Sequence, residues 1–144
     1  EIIGNVNAAI DGAVAQELWV LYIQHNNLSA GTKSFKPGTP GAELVPELKV
    51  VSGHIFTKSK SNALTSEVFA AFIQEHRITD FYIVGADAAA CIKSTCFNMR
   101  KSSYTVHVLS DCITSYDKKK LPEMLAYYDS KGCAVLTVQE AVRV

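Results

Sequence analysis

The sequence predicts an α/β fold, a parallel sheet with helices on both faces in three α/β/α layers. Two observations predict it. Short apolar runs alternate with segments whose apolar residues return every three or four positions, the order of right-handed βαβ crossovers. The apolar runs are nearly continuous, which suits strands covered on both faces. The chain has 144 residues, 48% of them hydrophobic and 19% charged. That is ordinary globular composition with material for one substantial core, so a single domain over residues 1–144 is expected.

The first helical period spans Gly4 to Gln16, where Val6, Ala9, Ile10, Ala13 and Val14 share a face. ELWVLYIQH at 17–25 reads as a buried strand. The stretch that follows, NNLSAGTKSFKPGTPGAEL, is rich in Gly, Pro, Ser and Asn and reads as a long loop at a pocket mouth. KVVSGHIFTK at 49–58 predicts a strand. SNALTSEVFAAFIQEHR predicts a helix with Val68, Phe69, Phe72, Ile73 and His76 on one face. DFYIVGA at 80–86 is strand, CIKSTCFNM helix, YTVHVLS at 104–110 strand, and LPEMLAYYDSKG a helix closing on Gly132. CAVLTV supplies a last strand, and Thr137 with Glu140 has capping-box spacing for a short final helix.

Charge and cysteine usage exclude several function classes. Lys plus Arg equals Asp plus Glu at 14 each, so the basic field that nucleic-acid or membrane-surface binding needs is missing. No apolar run reaches the ~20 residues of a membrane span, and the first residues do not read as a secretory leader. Four cysteines without a CxxC pair suggest reduced thiols in the cytoplasm. Neither His-x-His nor His-x-x-x-His spacing occurs, so no metal and no cofactor are expected. GxGxxG and GxxxxGK[ST] are also missing, which sets a nucleotide-binding domain aside. Trp19, Tyr22, Phe69 and Phe72 read as core, not as a base-stacking platform.

Ligands of open α/β sheets sit at the carboxyl ends of the strands, so the residues there are the ones to weigh. Cys91 follows DFYIVGA through a tight turn and opens a helix. The unpaired N–H groups and the dipole of that first turn favour a thiolate and provide donors for an oxyanion. A small buried hydrophobe is the competing reading of Cys91. Lys58 ends the strand HIFTK and points towards the same region, where an ammonium would stabilise a thiolate. Lys60 shares its side of an extended chain, and periodicity does not separate the two.

The stretches TKSKSNALTSEVF, DFYIVGADAAACIKST and YTVHVLSDCITSYD, with YIQHNN and PGTPGAEL upstream, are similar to the isochorismatase-like cysteine hydrolases. The resemblance covers most of the chain. It implies a parallel sheet flanked by helices and hydrolysis of amide or ureido C–N bonds by a cysteine, a lysine and an aspartate. Position by position, it puts the nucleophile on Cys91 and the lysine on Lys58, four residues before Asn62-Ala63-Leu64. It implies a cis peptide at Ala86-Asp87 and makes Asp87 a turn residue whose backbone matters more than its carboxylate. His25, Asn26 and Asn62 become candidates for the substrate pocket. The nicotinamidase branch carries an Asp-x-His-x-x-His-like metal site near the second strand, and that spacing is not present. The resemblance also implies a homo-oligomer, dimer or tetramer, acting on a small-molecule amide.

The family's aspartate closes a first, central strand ahead of the helix at Gly4 to Gln16, and this sequence has no residues at that place. Asp11 lies within the helix and reads as a solvated residue. The expectation is that the residues carrying the aspartate precede Glu1. The alternative is a non-catalytic member that binds a small ligand or partner through the same cleft. Cys96, five residues after Cys91, should fall on another helical face and pack in the core. Lys118, Lys119 and Lys120 read as a solvated helix start.

Overall fold

The computed structural model of the chain describes residues 2–25 and 47–142. Helix α1 (Ile2–Ala15) leads into β1 (Tyr22–His25), and β2 (Ile55–Lys58) follows. A 3-10 turn at Ala63–Thr65 precedes α2 (Glu67–Glu75), then β3 (Asp80–Ala86), α3 (Cys91–Lys101) and β4 (Thr105–Thr114). A second 3-10 turn at Lys118–Lys120 enters α4 (Leu121–Ser130), and β5 (Ala134–Leu136) and α5 (Val138–Val142) complete the order. None of the described helices is long and apolar enough to cross a membrane.

All strand pairs are parallel, but they fall into two sheets, one of order β1-β2 and one of order β3-β4-β5. The side chains of both sheets nevertheless enter the same two cores. On one face Ile23, Phe56, Phe81, Ile83, Val106 and Val108 pack with α2, α3 and α4 through Phe69, Ile73, Ile92, Met99 and Tyr128. On the other, Tyr22, Val84 and Leu109 pack with Val6 and Ile10 of α1 and Ala141 of α5. The three layers are therefore those expected.

Local chemistry explains the ends of the elements. The Ser66 hydroxyl caps α2 by accepting from Phe69 N, with Glu67 in the first turn favouring the positive end of the dipole. Pro122 opens α4, where its missing N–H costs nothing. Gly12 lets α5 press on α1, since a Cβ there would meet Val142 Cγ1 at 2.3 Å.

Several expectations need correction. The strand read at 17–25 is only Tyr22–His25, because Glu17 turns to φ 59° and Leu18 and Trp19 stay about half exposed. Trp19 is thus no core residue; it packs edge-on against His54 and Phe72 at the surface. The strand read at 49–58 starts at Ile55, its earlier part being tied down by side chains instead of a ladder. Val68 lies off the buried face of α2, 69% exposed. β4 runs four residues beyond Ser110, to Thr114.

Candidate active site

In β2, Phe56 and Lys58 are buried while Ile55 and Thr57 are exposed, the period-2 signature of a strand with one covered face. Lys58 therefore shares the face of Phe56, towards α2 and α3, and is only 8% exposed. A buried ammonium needs partners. The Lys58 Nζ donates to Lys60 O at 3.0 Å and to Cys91 Sγ at 3.4 Å. Cys91 is the first residue of α3 and is partly exposed. The structure thus brings together the two residues singled out at two strand exits, and Lys60 contributes its carbonyl.

The turn between β3 and α3 carries a cis peptide at Ala86-Asp87, as the resemblance implied, and Gly85 before it adopts φ 119°. The chain then folds back on itself. Ala90 N and Ile92 N both donate to Asp87 O, at 3.1 and 3.0 Å, and Ala88 N donates to Thr114 O at 2.9 Å. Among the described residues, the N–H groups of Asp87 and Cys91 donate to no acceptor outside their own strand or helix. They are the two donors the turn has left. From below, the buried Tyr128 hydroxyl donates to Ala88 O. Burial, with Cys96 and Asp87 nearby, pushes the Tyr128 phenol up, so it keeps the proton it donates.

The Asp87 carboxylate does more than the sequence suggested. Its Oδ1 accepts from Ser115 Oγ at 2.7 Å and Ala89 N at 3.0 Å, and its Oδ2 accepts from Tyr116 N at 3.1 Å. Burial pushes this carboxyl up. The three hydrogen bonds and the Lys120 charge outweigh that push and hold it below the ordinary value of 3.8.

One turn into α3, Thr95 lies on the same helical face as Cys91. Its Oγ1 accepts from Ala63 N at 2.9 Å and donates to Ser61 O at 3.4 Å, fastening the segment after Lys58 onto the helix. Asn62 caps the 3-10 turn, its Oδ1 accepting from Leu64 N. A cavity of about 230 Å³ opens beside it, lined by Thr57, Lys58, Ser59, Lys60, Thr65 and Ser66. Cys91 does not line it.

His25 ends β1 and pairs in register with Lys58; Asn26 lies outside the described residues. Cys96, Cys112 and Cys133 are buried at 1, 0 and 3% exposure, as a core reading of Cys96 requires. Asp11 forms a surface ion pair with Lys49 at 2.6 Å. No group of three or more His, Cys, Asp or Glu that would hold a metal ion occurs among the described residues. Thr95, Ser115, Tyr116 and Tyr128 were missed from the sequence. A periodicity signal marked only Thr95, four residues after Cys91.

The chain is a parallel three-layer α/β/α domain with a lysine-flanked cysteine at the start of α3. The family model described as Isochorismatase domain matches residues 1–140, and the chain belongs to that family of hydrolases. A protein assigned to the isochorismatases from Burkholderia xenovorans LB400 superposes with a TM-score of 0.88 at 24% identity, over 98% of this chain and 73% of that one. A cysteine hydrolase from Pseudomonas syringae gives 0.86 at 15% identity, over 99% and 78%. N-carbamoylsarcosine amidase from Thermoplasma acidophilum gives 0.81 at 17%, over 95% and 82%. At these identities the likeness is one of fold. No curated protein matches the chain significantly.

Proposed function

We propose that the protein is a cysteine hydrolase that cleaves a C–N bond of a small amide or ureido compound through a thioester on Cys91. The observation that carries this reading is the 3.4 Å approach of the Lys58 ammonium to the Cys91 sulfur at the start of α3. In the proposed reaction Cys91 Sγ attacks the carbonyl carbon, and the carbonyl oxygen takes the electron pair. The Asp87 and Cys91 N–H groups receive that oxyanion. The C–N bond then breaks, the nitrogen leaves with a proton as ammonia or an amine, and water hydrolyses the thioester. The thiol proton passes to a general base, a role the family resemblance gives to an aspartate. The names of two relatives, a cysteine hydrolase and an amidase of an N-carbamoyl compound, support the class of bond. The same reading takes the protein as a cytoplasmic homo-oligomer, dimer or tetramer, with a small-molecule amide as its partner.

One observation favours a second reading, binding without turnover: among the described residues no carboxylate is hydrogen-bonded to Cys91. Ammonia release from a panel of carboxamides and ureido compounds separates the two, with Cys91→Ser as control. The hydrolase reading expects release by the wild type and none by the variant. Tight binding of panel compounds with no release from any would replace it with the binding role.

A further inference from the structure

The turn that carries the Asp87 and Cys91 N–H groups has one polar side chain. Residues 88 to 90 are all alanine, so no other side chain in the turn reaches a hydrogen-bonding partner. Asp87 supplies what they lack. Its two oxygens take three donors, one from within the turn at Ala89 and two from Ser115 and Tyr116, just beyond the end of β4. Charge-assisted bonds of this kind are roughly twice as strong as neutral ones. They also extend the ladder where it runs out, since Ala86 is the last residue of β3 paired in register, with Thr114. With Tyr128 holding Ala88 O from below, the turn is gripped at its entrance, its middle and its outer side.

We propose that the Asp87 carboxylate is a positioning residue for the oxyanion: by gripping Ser115 and Tyr116 it fixes the turn from which the Asp87 and Cys91 N–H groups point. Asp87 touches neither the sulfur nor the substrate in this role and acts through those two amides. The proposal rests on the reading of Cys91 as nucleophile. It makes a prediction that a general contribution to folding does not make. Reactions of Cys91 that build an oxyanion depend strongly on Asp87, and reactions that do not depend on it far less.

Two reagents separate these cases on the full chain. With p-nitrophenyl acetate, Sγ bonds to the acyl carbon through a tetrahedral oxyanion, the C–O bond breaks, and p-nitrophenolate leaves with the electron pair. With iodoacetamide, Sγ displaces iodide in one step and no oxyanion forms. Removing one oxyanion donor outright costs about 100- to 1,000-fold in rate. Loosening two donors without deleting them should therefore slow acetylation of Cys91 in Asp87→Ala by roughly tenfold or more. Alkylation should fall far less, because it builds no charge on oxygen and feels the turn only through the thiolate that the start of α3 favours. Ser115→Ala, which removes one of the three donors, should show a smaller loss in the same direction, and it decides the matter alone if Asp87→Ala does not fold. Acetylation unchanged in both variants, or acetylation and alkylation falling together, overturns the positioning role and leaves the nucleophile standing. If wild-type Cys91 is the preferred target of neither reagent, the nucleophile reading fails and this proposal goes with it.

Discussion

Lys58 and Cys91 meet at 3.4 Å although they belong to different sheets: Lys58 ends β2 of the two-stranded piece, and Cys91 follows β3 of the three-stranded one. The contact joins the two sheets. A buried ammonium against the sulfur stabilises negative charge there, and about 1.4 kcal/mol of such preference corresponds to tenfold. Lys58→Met keeps the bulk of the stem and removes the charge. It should slow alkylation of Cys91 by iodoacetamide at neutral pH roughly tenfold. Equal rates would make Lys58 a cross-link to Lys60 O and nothing more.

Thiol counting gives a second prediction. Cys91 is the one partly exposed cysteine of the four, and Cys112 is pushed up to about 12, by burial first and then by Asp111. The hydrogen bond shared with Cys133, and then burial, push Cys96 up as well; the same bond lowers Cys133, whose sulfur is kept from the reagent by its 3% exposure. A thiol that is buried and protonated reacts slowly. Intact-mass analysis after iodoacetamide should show a single adduct on the native protein, mapped to Cys91, and four after denaturation. Two or more adducts at comparable rates in the native state would contradict this.

Much of this was legible in the chain, and the parts that were not depend on contacts between distant residues. Lys58 and Cys91 stood out because each closes or opens an element whose period is local, but period alone left Lys60 beside Lys58 and a core role beside Cys91, and the family resemblance made the choice. The starts of β1 and β2 were read too early because apolar runs alone marked them. Val51 N bonds the Tyr22 hydroxyl and Lys49 N bonds Asn7 Oδ1, contacts to side chains 29 and 42 residues away that replace a ladder. β4 was read too short for the opposite reason. Asp111 is an unpromising strand residue, yet its carboxylate accepts from Val138 N at the start of α5. The grip of Asp87 on Ser115 crosses 28 residues, and no spacing rule connects them.

Thr95 offers a test of how the lysine segment is held. Thr95→Val is nearly isosteric but strips Ala63 N of its acceptor in a buried setting and frees Ser61 O. A buried donor left unsatisfied costs about 1–3 kcal/mol. The variant should lose that much in chemical denaturation. It should also alkylate more slowly at Cys91, because the residues that follow Lys58 are no longer fastened to α3. A stability loss with unchanged alkylation would confine Thr95 to folding.

Asp87 also makes stability depend on acidity, and the sign follows from its direction. Its folded carboxyl titrates below the ordinary value of 3.8 because the hydrogen bonds from Ser115, Ala89 and Tyr116 outweigh burial. The folded state thus holds the proton more weakly than the unfolded chain does. The resulting stabilisation is complete above pH 3.8 and is lost as pH falls from there through the folded value. The group is only partly buried, so solvent screening keeps the effect modest. Melting curves of the wild type and Asp87→Asn between pH 6 and pH 2, interpreted with ~1 pH unit of resolution, should differ most at the upper end of that range. They should converge in acid, because protonation removes from the wild type what the variant already lacks. A difference that is constant across the range would mean that the charge on Asp87 contributes nothing to the grip and that shape alone holds the turn.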